Sequence, residues 1–448
     1  MNAPALSPGA AAVMRRLNGA DYQAYLVGGC VRDALLGRPV HDHDLCTDAT
    51  PEQMLACLTG LRVIPTGIAH GTLTVLCDGE AIEVTTFRCD GAYAPDHRHP
   101  QQVRFVPSLE EDLRRRDFTV NAMAWHPDTG LIDPFGGRQD LQAGVLRCVG
   151  DPAQRLREDA LRILRGLRFA AHYQWSPEPQ TAAAMHQLRG LLSHISGERI
   201  FSELKGWLAA PDPSQTLLTF ADVVSTILPE LAPAVGFDQK SRYHCYDVYT
   251  HSVYALCRVP PEPEPVRLAL LLHDSGKPSC CTEQDGVRHF YGHAAESERL
   301  ARQALTRLKA DRRTLDTVAL LVRRHDDPIE PTPAAVRRWL NRLGEDTLRK
   351  LLLVKMGDTL AHAPATTVPR RRAVEQAGRV LDQVIAARDC FSLKDLAVGG
   401  QDLLALGFAP GPALGSVLQT LLAQVVDGAL PNERTALLAA AEQLRTEP

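Results

Sequence analysis

The segment YLVGGCVRDALLGRPVHDHDLCTDAT, residues 25–50, decides the fold. Its apolar start reads as a short strand that runs into Gly28 and Gly29 and then opens a helix. Amide N–H groups at such a turn, with the helix dipole behind them, suit a phosphate, and Arg32 lies within reach of the same anion. Asp42 and Asp44 follow at a spacing of two, which on a strand points both carboxylates to one face. Two oxygen donors on one face suit a hard cation such as Mg²⁺. Each feature has a plainer reading, a structural glycine turn and a solvated acidic turn, so a third acid is needed. Glu83, in the strand-like run AIEVTTFR, is that candidate. Three carboxylates beside a phosphate-binding turn are the parts needed for two-metal nucleotidyl transfer.

Outward from this segment, GTLTVLCDG and AIEVTTFR are β-rich runs joined by Asp78-Gly79, a hairpin signal. Past residue 150 the texture changes. REDALRILRGLRFAAHY has apolar residues at 161, 163, 164 and 167, a helical spacing, and strands become hard to find. Ala210–Ser214 and Pro260–Pro265 punctuate the helices, and the last stretch breaks at Gly399-Gly400 and Gly411-Pro412. The predicted fold class is α+β: an α/β head followed by an all-helical remainder. The predicted division is a head over 1–150, a neck over 151–215, a helical body over 216–372 and a tail over 373–448.

With 448 residues, the chain is long enough for two to four domains. A composition of 45% hydrophobic and 23% charged residues excludes a disordered or fibrous protein. No apolar run approaches the roughly 18–20 residues of a membrane helix, and MNAPALSPGAAAV lacks the marks of a secretory signal. Eleven scattered cysteines without a C-x-x-C pair read as free thiols, so a cytoplasmic location is expected. The net charge of −4 argues weakly against a protein wrapped in nucleic acid. Two stretches are nonetheless basic: Arg299–His325 and Arg337–Arg372. They suit a polyanion-facing surface, or simply solvated helix faces.

Together, GGCVRD (28–33), Asp42 and Asp44 with Thr47, TGIAHGTLTV (66–75), EVTTFR (83–88) and RRDFTVNAMA (115–124) resemble the head of class II tRNA nucleotidyltransferases, the CCA-adding enzymes. The resemblance continues through most of the chain. It implies a polymerase-β-like nucleotidyltransferase head, Mg²⁺ held by Asp42 and Asp44, and Glu83 as a further catalytic carboxylate. It also implies nucleotide contacts from Gly29, Arg32 and Arg116, CTP and ATP as substrates, and tRNA as partner. Glu158-Asp159-Ala-Leu-Arg162 is similar to the family's base-reading motif, with Arg165 and Arg168 after it. By spacing alone, Asp159, Arg162, Arg165 and Arg168 form an i, i+3 stripe on one helix, which a salt-bridged surface would also give. A carboxylate only accepts and a guanidinium only donates, so the two types side by side can also pair with a base edge. GERIFSELKGWL (197–208) matches a family helix, read as structural.

LALLLHDSGKP (268–278) resembles HD-superfamily phosphohydrolases, with His251, His273, Asp274, His293, His325 and Asp358 in the superfamily's order. That resemblance implies a divalent transition metal on His251, His273, Asp274 and Asp358, with His293 and His325 nearby. The implied substrates are phosphomonoesters or 2′,3′-cyclic phosphates, although some relatives have lost the activity. Residues 393–434 resemble the family tail that cradles the tRNA elbow. The sequence TGIAHGTLTV separates the chain from poly(A) polymerases, and the loop within 87–106 from CC-adding enzymes, by the same resemblance. An A-adding enzyme would carry that loop too. A nucleotide-sensing head on a working hydrolase, and a non-catalytic tRNA scaffold, are the readings from other classes.

Overall fold

The computed structural model describes residues 4–40, 42–90 and 103–446. The loop expected around Asp90–Arg98 falls, from Gly91 onward, outside the described residues, as does His41. The chain forms two compact units, Met1–Pro229 and Glu230–Pro448. Head and neck therefore fold within the first unit, together with residues 216–229.

The first unit is built on a sheet of seven strands. The first nine strands in chain order, seven of them in this sheet, are β1 (Ala24–Val27), β2 (Asp44–Thr47), β3 (Arg62–Gly67), β4 (Thr72–Cys77), β5 (Glu80–Thr86), β6 (Arg88–Asp90), β7 (Val103–Phe105), β8 (Ala124–His126) and β9 (Gly130–Ile132). The sheet order is β3-β4-β5-β2-β1-β8-β9, while β6 and β7 pair separately. β2 and β5 are parallel and the other neighbours in the sheet antiparallel. The β4–β5 hairpin turns on Asp78 (φ 51°) and Gly79 (φ 81°), the positive pair a two-residue turn requires. Along β4, Leu73, Val75 and Cys77 are buried and Thr72, Thr74 and Leu76, which alternate with them, less so, as the period of two dictates. Helix Pro8–Asn18, capped by the Ser7 side chain, buries Ala10, Val13, Met14 and Leu17 at spacings of three and four. Gly28, at φ 76°, turns the chain out of β1 into helix Gly29–Leu35.

After the sheet the unit is helical, as predicted, with one correction. The helix expected through residues 157–173 is two helices, Pro152–Glu158 and Leu161–Tyr173. Asp159 is extended between them (φ −142°, ψ 104°). Its carboxylate accepts from Leu161 N–H at 3.0 Å, satisfying an amide that a continuous helix would have paired backward. The second helix buries Ile163, Leu164, Leu167 and Ala170 against helix Gly197–Leu208, whose Trp207 is also buried.

The second unit packs helices Val248–Cys257, Glu264–Leu272, His293–Arg307, Arg312–Arg324 and Pro333–Leu360. Glu264–Leu272 is buried on all sides from Val266 to Leu272, a central helix. A short hairpin the sequence reading did not foresee, Thr282–Gln284 with Val287–His289, turns on Asp285 (φ 52°) and Gly286 (φ 75°). In the tail, helices start at Gly400 and Pro412, where the glycine breaks were expected, around Leu403, Leu421, Leu422 and Leu437. The basic stretches are laced with acids. Arg302 bonds Glu298 and Asp316, Arg337 bonds Asp389, and Arg349 bonds Glu345 and Asp382. Their surface is thus more mixed than the runs of basic residues suggest.

Candidate active sites

The strand order of the first unit brings the predicted carboxylates together. Asp44 begins β2 and lies directly across from Glu83 in the parallel β2–β5 register. Asp42 precedes the strand, and both aspartates line a cavity of about 660 Å³. Burial, and then the Glu83 carboxylate, push the Asp44 carboxyl above its usual range; Asp42 adds to this and Arg116 opposes it. Surplus negative charge on oxygen donors at a cavity wall fits a divalent cation.

Arginines line much of the rest of the cavity. Arg32 donates through Nε and Nη2 to Asp33, each at 2.9 Å, and through Nη1 to Asn121 at 2.6 Å. Arg116 donates to Asp112 at 3.1 Å, and its buried Nε has no hydrogen-bond partner among the described residues. A side chain at Gly28 would be strained by the positive φ of 76°, and its Cβ would stand 3.0 Å from the Arg116 guanidinium. Gly29 lines the same wall. Arg165 grips Asp117 with two bonds, at 3.1 and 2.9 Å. Although burial would raise it, the Asp117 carboxyl is held down to about 2, chiefly by Arg165. Arg168 donates to Glu203 at 2.6 Å. Arg32, Arg165 and Arg168 all lie against the Phe169 ring, at 5.2, 5.6 and 4.5 Å.

Asp159 and Arg162 both line the cavity, each held by its own partners. Arg199 donates to Asp159 at 3.0 Å. Arg162 donates to Glu158 at 2.8 Å and to the carbonyls of Arg155 and Arg115 at 2.9 and 3.0 Å. The pair thus presents an acceptor and a donor fixed from behind. Sequence reasoning missed Arg115, Asp117, Asn121 and Phe169 on this wall. A signal existed for two of them: Asp117 and Asn121 lie four apart in the RRDFTVN run, and Asn121 donates to Asp117 at 3.0 Å.

In the second unit the histidines and aspartates of the second motif converge. Helix ends and interiors place His251, His273, Asp274 and His325 in full burial. His251 Nε2 lies 2.9 Å from Asp358, and His273 Nε2 lies 3.3 Å from Asp274 and 3.5 Å from Asp358. His293 and His325 approach each other at 3.3 Å and Asp274 at 3.5 and 3.7 Å. His273, His293 and His325 donate through Nδ1 to the carbonyls of Leu270, Phe290 and Val322, at 2.7, 2.8 and 2.7 Å. That fixes the tautomer and turns each Nε2 lone pair inward. His273 Nε2 is buried without a hydrogen-bond partner among the described residues. Two ligand triads result, His251–His273–Asp358 and His273–Asp274–His325, each with its donor atoms within 4.8 Å. Such a donor set fits a divalent transition metal.

A second cavity of about 400 Å³ opens beside this cluster, lined by Asp274, His293, His325 and Asp358 and also by His244, Lys277, His362 and Arg370. The last four were not singled out in the sequence. His362 lies four residues after Asp358, just past the end of its helix, and its Nδ1 donates to the Asp358 carbonyl at 2.8 Å. Lys277 lies 2.6 Å from Asp274.

Comparison with known families places these features in context. The family description "Poly A polymerase head domain" matches residues 24–147, and "tRNA nucleotidyltransferase domain 2" matches 296–441. A CCA-adding enzyme of Lacticaseibacillus paracasei is 35% identical over 434 residues, 96% of this chain and 95% of that one. A CCA-adding enzyme of Geobacillus thermodenitrificans is 46% identical over 221 residues, 49% of this chain and 54% of that one. The crystal structure of the Bacillus stearothermophilus CCA-adding enzyme in complex with CTP superposes with a TM-score of 0.74 at 31% identity, covering 98% of this chain and 99% of that one. The Thermotoga maritima CCA-adding enzyme complexed with tRNA shares the fold, with a TM-score of 0.58 at 22% identity. No helix among the described residues is long and apolar enough to cross a membrane.

Proposed function

Because the chain belongs to the CCA-adding enzymes, a family of tRNA nucleotidyltransferases, we propose that it extends the tRNA 3′ end by C, C and A, using CTP and ATP without a nucleic-acid template. The observation that supports this most directly is the first cavity, which gathers Asp42 and Asp44 with Arg32, Arg116, Asp159 and Arg162. In this reading residues 1–150 are the catalytic head and 151–215 the base-reading neck. Residues 216–372 are the helical body and 373–448 the tRNA-binding tail, in a cytoplasmic enzyme.

The family implies a divalent metal. We assign it as Mg²⁺ held by Asp42 and Asp44, with Glu83 reinforcing their charge from the neighbouring strand. When bound, the metal acidifies the attacking hydroxyl and offsets charge on the leaving pyrophosphate. Arg32 and Arg116, each anchored to a protein acid, face the triphosphate and hold it in line for attack on the α-phosphorus. Asp159 accepts from the exocyclic amine of cytosine or adenine, and Arg162 donates to the adjacent ring nitrogen. Guanine and uracil offer a carbonyl where the amine should be and an N–H where the lone pair should be, leaving both side chains unpaired. Arg165 and Arg168, stacked on Phe169 and tied to Asp117 and Glu203, keep that template in place.

The test uses tRNA transcripts ending at the discriminator base, at -C and at -CC, each with Mg²⁺ and CTP, ATP or both. Stepwise growth of the shortest transcript by C, C and A is expected. Extension of the -CC transcript alone, by ATP, would make the chain an A-adding enzyme; no extension would overturn the reading.

The inward-turned imidazoles of the second unit support an additional activity, hydrolysis of phosphate esters. His251, His273, Asp274 and Asp358 would hold a divalent transition metal, with His293 and His325 completing the cluster. Lys277 and Arg370 line the adjoining cavity and would meet the phosphate oxygens. Water adds to phosphorus, the ester P–O bond breaks, and the leaving oxygen takes a proton.

A further inference from the structure

The second cavity has a feature that neither the metal nor a bare phosphate uses. Its lining continues from the histidine cluster onto the hairpin Thr282–Gln284/Val287–His289 and the residues after it: Arg288, His289, Phe290 and Tyr291. Tyr291 is 81% exposed, by far the most exposed of the large hydrophobic side chains among the described residues. Its ring lies parallel to that of His289, with centroids 5.6 Å apart and an interplanar angle of 3°. The chain places these rings with care. His289, Tyr291 and His293 alternate, and Gly292 (φ 80°) then starts the helix whose first residue, His293, belongs to the cluster. Arg288 beside them is held in place, donating to Glu283 at 3.2 Å and to the carbonyl of Asp238, with Phe237 against its guanidinium.

Stacked aromatic rings open to solvent beside a phosphate site form a surface that any nucleobase can cover, because every base has a π-face. A volume of about 400 Å³ is within the range of small-ligand pockets. We propose that His289 and Tyr291 form a base-stacking platform, so that the second site takes nucleoside phosphates in preference to small phosphate esters. The phosphate sits toward His293 and Lys277, and the base lies on Tyr291. This rests on the phosphohydrolase reading above.

The experiment uses the full chain loaded with a divalent transition metal. Hydrolysis of adenosine 3′-monophosphate, of a short RNA with a 3′-terminal phosphate, and of glycerol 2-phosphate is compared between the wild type and Tyr291→Ala. The ratio of kcat/KM for the nucleoside substrates over glycerol 2-phosphate is expected to fall about tenfold in the variant, through KM. Tyr291→Phe should restore the ratio. A loss confined to the RNA, or to the mononucleotide, identifies which source the platform serves. An unchanged ratio, or an equal loss on all three substrates, overturns the platform. If the wild type hydrolyses none of them, the phosphohydrolase reading fails, and the platform is judged by binding alone. Quenching of 2-aminopurine riboside 3′-monophosphate fluorescence should then still weaken about tenfold in Tyr291→Ala; no such change overturns it.

Discussion

The two cavities are organised on opposite plans. In the first unit, charged side chains are positioned by other charged side chains from distant parts of the chain: Arg165 by Asp117, Arg168 by Glu203, Asp159 by Arg199. In the second, three histidines are each positioned by the carbonyl of the residue three positions back, Leu270, Phe290 and Val322. The first plan suits a ligand that must be read, since it fixes donors and acceptors in a pattern no local segment could build. The second suits a cation, which needs lone pairs at a point and little else. The first plan is therefore fragile at second partners far from the cavity, and the second only at the imidazoles and carboxylates themselves.

Substitutions can break this contrast. Asp42→Ala should lower nucleotide incorporation on the order of 10³-fold, the several kcal/mol that a metal contributes to a transition state. Its phosphate-ester hydrolysis should be unaltered. Loss of both activities together would mean that the two cavities are not independent. Conversely, Asp274→Ala should reduce retention of a transition metal, read by elemental analysis, and hydrolysis by about 10²-fold. Incorporation should stay within a factor of two.

A smaller effect, on stability, separates the plans more sharply. The Asp117 carboxyl is held at about 2 in the fold, below its ordinary 3.8. It therefore contributes stability that is present above pH 4 and lost as the pH falls toward 2, roughly 2 kcal/mol in all. Asp117→Asn should be less stable by about that amount at pH 7 and show a flatter acid limb in denaturant titrations between pH 5 and 3. An unchanged limb would break the claim that Arg165 is held by charge. Arg199→Ala touches the cavity only through Asp159, yet it should blur the choice of CTP over UTP by about tenfold in single-nucleotide incorporation. Unaltered selectivity would show that Asp159 does not need its rear support. The smallest effect is that of the basic stretches. Because acids lace them, tRNA affinity should fall with salt along a shallow slope of log affinity against log salt, measured by filter binding.

The contrast also explains what could be read from the sequence. The His273-Asp274 pair and its companions, spread from residue 251 to 358, were legible only through the resemblance of LALLLHDSGKP to HD-superfamily phosphohydrolases. The glycine turn, Asp42 and Asp44 were contiguous. The partners Asp117, Glu203 and Arg199 lie 48, 35 and 40 residues from the side chains they fix, and nothing in their spacing announces the pairing. Asp159 was misjudged for a related reason. Periodicity ran unbroken through it, and only the competing bond from its carboxylate to Leu161 N–H split the helix. The Asp285-Gly286 hairpin carried the same turn signal as Asp78-Gly79. Its strands, Thr-Glu-Gln and Val-Arg-His, are too polar and short to show the alternation that exposed the other.

The pairing of Asp44 with Glu83 follows from parallel strand register, not from the chain between them. Helix Pro51–Cys57, β3 and the hairpin can therefore lengthen or shorten across homologues with the two carboxylates left side by side. What cannot drift is parity. One residue gained inside β5 ahead of Glu83 would carry that carboxylate to the opposite face of the sheet, whereas two would return it to the same face, two positions further along the strand. The pairing of Asp44 with Glu83 is thus tolerant of length between the strands and intolerant of odd numbers within them.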